Sequence, residues 1–76
     1  MTSTEWITKK LNELKIKYSN LTFSYVIDSF DNCTSVWIGP RSLYESSEFL
    51  VEEHNIYQEF FKLYPYELLF FTPKND

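Results

Sequence analysis

Leu21-Thr22-Phe23-Ser24-Tyr25-Val26-Ile27, followed by Asp28-Ser29-Phe30-Asp31-Asn32 and then by Thr34-Ser35-Val36-Trp37-Ile38-Gly39-Pro40, is the stretch that decides the fold. Its first part alternates, which places Leu21, Phe23, Tyr25 and Ile27 on one face of a strand and Thr22, Ser24 and Val26 on the other. The Asp/Ser/Asn cluster supplies turn chemistry, and the β-branched and aromatic run after it reads as a second strand. The two strands form a hairpin. Gly39-Pro40 stops the second one, because proline has no N–H to give to a ladder.

On the N-terminal side of the hairpin the period is helical. Thr2-Ser3-Thr4-Glu5 reads as a capping box, Met1 and Trp6 as a hydrophobic staple, and Ile7, Leu11, Leu14 and Tyr18 as the buried stripe of a helix over residues 3–18. After the hairpin, Phe49, Leu50, Ile56, Tyr57, Phe60, Leu63 and Tyr64 fill one broad helical face between Ser46 and Tyr64, with Ser46 or Ser47 as the cap. Pro65 ends that helix. Glu67-Leu68-Leu69-Phe70-Phe71-Thr72 is then short and apolar on both faces, as a third strand would be, and Pro73-Lys74-Asn75-Asp76 is a tail.

The order is therefore α-β-β-α-β, and the fold class is α+β: a two-layer sandwich of a three-stranded sheet with two helices on one face. A second helix between the second and third strands makes them parallel through a right-handed crossover. Because the first two strands are a hairpin, the third must lie at an edge. An edge strand apolar on both faces is an unfinished surface that proteins normally cover, pair or guard, and here Pro73 and Lys74 guard only its end.

Length and composition fit one small domain spanning residues 1–76. Seven Phe, six Tyr and two Trp stand against a single Gly, so the chain is rich in surface to bury and poor in the loop material that active sites use. Aromatics of roughly 150–250 Å² each can stabilise so small a core without a disulfide or a metal. Cys33 is the only cysteine and reads as a turn residue. The longest apolar run, Leu68 to Phe71, is far shorter than the ~20 residues that span a bilayer, and no stretch reads as a signal peptide. A cytoplasmic, reducing setting with no membrane partner is expected.

Charge divides along the chain. Residues 1–20 carry Lys9, Lys10, Lys15 and Lys17 against Glu5 and Glu13, and the remainder is strongly acidic, for a formal net charge of −4. Counterion release rewards clustered Lys and Arg, so this balance argues against nucleic acid and leaves a protein, with a basic or mixed surface, as the expected partner.

No residue pattern carries evident chemistry. Glu53 falls at the centre of the second helix's apolar stripe, where it reads as a structural carboxylate bonded to a Tyr hydroxyl or Arg41, the alternative being a general acid or base. His54 points 100° away from it and completes neither a dyad nor a metal site. The lone glycine leaves no G-x-S-x-G elbow for Ser42 or Ser46, and no cofactor is implied.

On the face away from the helices, Trp37, Val26 and either Leu69 or Phe71 are expected to interleave as a protein-binding patch. In size and charge alone the chain is similar to small acidic inhibitors such as bacterial immunity proteins and phage inhibitors of host defence, and no residue is carried over. The expected function is a non-enzymatic interaction protein, with an inhibitory role as the more specific form. The alternatives are an accessory homodimer paired through its third strand and a small enzyme using Glu53.

Overall fold

The computed structural model describes residues 1–74. Its elements are α1 (Ser3–Lys17), β1 (Thr22–Asp28), β2 (Cys33–Gly39), α2 (Arg41–Tyr44), α3 (Ser47–Leu63) and β3 (Leu68–Pro73). The sheet order is β1-β2-β3, with β1 antiparallel to β2 and β3 parallel to it, so the α+β sandwich and the edge position of the third strand are as expected.

Local chemistry explains the boundaries. Thr2 accepts the Glu5 N–H at 3.2 Å while the Thr2 N–H donates to the Glu5 carboxylate at 3.3 Å, which completes the capping box at the start of α1. Trp6 is buried against Phe60 and Tyr64, at ring distances of 5.8 and 6.4 Å, while Met1 is exposed; the second long helix, and not a staple from Met1, shelters the indole. Asp28 Oδ1 accepts the N–H groups of Phe30 and Asp31, and Asn32 takes φ 50, a left-handed value that Asn tolerates. The turn is thereby finished at Asn32, so Cys33 is the first residue of β2 and not a turn residue.

Two further differences come from single turns and single residues. The extra helix α2 lies between Pro40 and the cap Ser46, which accepts the Phe49 N–H at 3.2 Å; one helical turn is too short to leave a period in the sequence. At the other end, Pro73 belongs to β3 and Lys74 N donates to Ile38 O at 2.9 Å, so pairing runs further than the expected tail. Asn75 and Asp76 of that tail lie outside the described residues.

Both long helices lie on one face of the sheet. Ile7, Leu11 and Leu14 of α1 and Phe49, Ile56 and Phe60 of α3 close over Val36, Ile38, Leu69 and Phe71 to form the core. The two charge halves of the sequence meet here as well, since Lys10 pairs with Glu59 at 3.6 Å and Lys17 with Glu52 at 2.9 Å. These exposed pairs add little to stability, but they tie up two of the four lysines of α1. No helix of the described residues is long and apolar enough to cross a membrane.

Candidate interaction surface

The central strand β2 sorts the sheet into two faces, because its side chains alternate. Thr34, Val36 and Ile38 are buried beneath the helices, while Cys33, Ser35 and Trp37 are half-buried on the other side. Register extends each face across the sheet. Val26, Ser35 and Phe70 make one row on the open face, Asp28, Cys33 and Leu68 a second, and Ser24, Trp37 and Thr72 a third.

The apolar groups of the open face are therefore Trp37, Val26, Leu68 and Phe70, the last three 59, 48 and 50% exposed. Leu69 and Phe71, expected in this patch, belong to the core instead: they pair with Thr34 and Val36 and are only 2 and 8% exposed. The tetrapeptide Leu68-Leu69-Phe70-Phe71 is apolar at both parities, so alternation alone could not orient it; its register with β2 does. Trp37 and Val26 lie on the face the alternation assigns them.

The edge of β3 is more occupied than its sequence suggests. Leu68 N donates to Asn32 O and Lys74 N to Ile38 O, so the even-numbered residues of β3 bond to β2 and Leu69, Phe71 and Pro73 turn their backbone groups outward. At Phe71 both groups are taken: its N–H donates to the Tyr57 hydroxyl at 2.7 Å, and its carbonyl accepts from the Tyr44 hydroxyl at 3.2 Å. Pro73 has no N–H to offer. The fold thus shields this edge with two tyrosines and a proline, which weakens the case for self-pairing through the third strand.

Glu53 organises the two tyrosines. The single Tyr44 hydroxyl proton is shared between Phe71 O and Glu53 Oε1, the latter at 3.3 Å, and the Tyr57 hydroxyl lies close enough to act on the Glu53 carboxyl. Burial raises the Glu53 carboxyl above its ordinary range, with the two tyrosine bonds pulling it down in part. Tyr57, desolvated and facing the carboxylate, is pushed up to about 12. Arg41, the other expected partner, pairs with Glu45 at 3.7 Å.

Glu53 also borders an open groove of ≈ 520 Å³ with Leu50, Val51, His54 and Tyr57. His54 is exposed, and no group of three or more potential metal ligands occurs among the described residues. The one acid in the groove accepts a bond from the Tyr44 hydroxyl, an arrangement that positions a tyrosine.

Three substitutions check this description. Tyr57→Phe should cost about 1–2 kcal/mol, since it leaves a part-buried N–H without its acceptor, and amide exchange at Phe71 should accelerate while that at Leu68 stays slow. Glu53→Gln should keep the fold and remove a pH dependence of known sign. A carboxyl raised in the folded state stabilises below its unfolded value and loses that contribution as pH rises through the folded value. Wild type should therefore lose stability relative to Glu53→Gln as pH climbs from about 4.5 through the raised folded value; a difference that grows in the other direction contradicts the burial of the carboxyl. Cys33→Ser, at a half-buried site with neither disulfide nor metal to hold, should stay within about 0.5 kcal/mol in a denaturant melt.

No family model matches the chain, and neither a curated protein nor a solved structure is significantly similar to it. Function has to be argued from the surface alone.

Proposed function

We propose that the chain is a non-enzymatic protein-interaction module that acts by occupying the surface of another protein, and that an inhibitory role, of the immunity or anti-defence type, is its most economical form. The observation that carries the reading is the uncovered sheet face, where Trp37, Val26, Leu68 and Phe70 gather large apolar groups around the small side chains of Ser35 and Cys33. Water gains nothing from such a cluster, and an aromatic anchor ringed by aliphatic groups is the usual composition of an interface centre.

The charge supports a basic partner. Asp28 and Asp31 stand exposed at the hairpin tip beside this face, and an acidic rim steers encounter toward a basic site more than it adds affinity. Capture from the source cell tests the proposal. A partner held by wild type should be lost with Trp37→Ala and Phe70→Ala and kept with Tyr66→Ala, which removes a 93% exposed aromatic outside the strands. Capture that is indifferent to Trp37 and Phe70 refutes the assignment. A single activity abolished by Glu53→Gln with an unchanged melting curve would instead favour the enzyme.

A further inference from the structure

The other edge of the sheet is left open. Since the carbonyls of Asn32 and Ile38 point to β3, the odd-numbered residues of β2 face β1, and their partners Thr22, Ser24, Val26 and Asp28 use their backbone groups inward. Phe23, Tyr25 and Ile27 must then turn every N–H and C=O to the free edge. Among the described residues no side chain is bonded to those groups, in contrast to Phe71 on β3, and β1 contains none of the proline, glycine or lysine that guards an edge.

We infer that β1 pairs antiparallel with β1 of a second copy, about a two-fold axis at Tyr25, to make one continuous six-stranded sheet. The sequence is self-complementary about that residue. Tyr25 faces Tyr25, Phe23 faces Ile27 and Ser24 faces Val26, so each outward N–H meets an outward carbonyl and none is left over. The half-exposed side chains of Tyr25 and Ile27, 37 and 45% exposed, lie together on the helix side with Phe23.

Charge agrees with this register. Asp28 of one copy falls opposite Thr22 of the other and ~20 Å from its own symmetry mate, beyond the Debye length at physiological salt. The row it joins runs from Lys74 across Gly39 to Thr22, and the Lys74 side chain lies flat over that glycine, its Cδ 3.1 Å from where a Cβ would stand. With no side chain on Gly39, the Lys74 stem and the Thr22 hydroxyl, 2.9 Å from the same point, share the row that the second copy's Asp28 would join. Above the edge, α1 offers small side chains for the approach of its mate: Thr4, Thr8 and Asn12 recur at one-turn spacing, and the Thr8 hydroxyl lies 3.4 Å from the Tyr25 hydroxyl.

Sedimentation and cysteine cross-linking test this together. Wild type should sediment at twice the 9.2 kDa chain mass at high concentration and dissociate on dilution. In a Cys33→Ser background, the double variant Ser24→Cys/Val26→Cys should form a disulfide-linked dimer under mild oxidation, because these residues face each other at non-hydrogen-bonded positions. Ser24→Cys alone should not, since its mate would be ~8 Å away, past the ~7 Å limit for a bridge. Tyr25→Lys, which opposes two cations on the axis, should be monomeric with a native-like melt. A wild type that stays monomeric to millimolar concentration overturns the inference, as does a dimer whose double variant fails to cross-link or whose Ser24→Cys single variant links equally well. Trp37→Ala leaves this edge intact, so loss of a foreign partner and loss of the dimer are read separately.

Discussion

Phe60→Ala is expected to remove about 3–5 kcal/mol of folding stability. The ring is 1% exposed and lies 5.8 Å from Trp6, 5.3 Å from Tyr64 and 5.4 Å from Phe61. It therefore carries the contact between α1 and α3 that the few exposed ion pairs cannot replace. A chain of this length has a total stability of about 4–11 kcal/mol, so the substitution removes a large part of it, and the melting temperature should fall by at least about 12 °C. Neighbouring helices would not close the gap, because the aromatic rings around it are rigid. Tyr66→Ala, at a ring that stands almost wholly in solvent, is the control and should stay within about 0.5 kcal/mol. Comparable losses in the two variants would mean that the aromatic cluster does not hold the layers together.

The layers themselves were legible in the sequence because each rests on a period that the chemistry repeats. Ile7, Leu11 and Leu14 recur at helical spacing and are buried; Phe23 and Tyr25 alternate with Ser24 and lie on the helix side; Pro65 ends one element and Thr2 with Glu5 begins another. Given a hairpin, a crossover helix and a right-handed connection, the edge position of the last strand follows. What escaped was information that no period carries. Leu68 to Phe71 is apolar at every position, and only pairing with β2 makes Leu69 and Phe71 core and leaves Leu68 and Phe70 outside. Leu50 and Leu63 fit the stripe of α3, yet stay 62 and 52% exposed, because a three-stranded sheet is too narrow to cover so broad a helical face.

The Glu53 site shows the same limit in its chemistry. A carboxylate at the centre of an apolar stripe announces that it needs partners, and a tyrosine hydroxyl was a reasonable one. That Tyr44 and Tyr57 would at the same time close the backbone of Phe71 depends on two helices and a strand meeting at one point. The consequence bears on the surface: guarding β3 leaves β1 as the edge with open hydrogen-bonding groups, and the exposed Val26 next to Trp37 joins that edge to the open face.

On the proposed reading, Trp37 anchors a contact surface and does not merely fill space. Its ring stands on the open face with Ser24 and Thr72 beside it, is half-buried, and has no helix above it, so its removal should cost the isolated fold only about 1 kcal/mol. At the centre of an interface the same truncation costs about 2 kcal/mol or more, roughly thirtyfold in affinity. The decisive measurement is the affinity of the captured partner for wild type and for Trp37→Ala by calorimetry, with a thermal melt of each chain alongside. Binding should weaken at least about thirtyfold while the melt stays native-like. Equal affinity for the two chains, or a Trp37→Ala variant that unfolds outright, would contradict it.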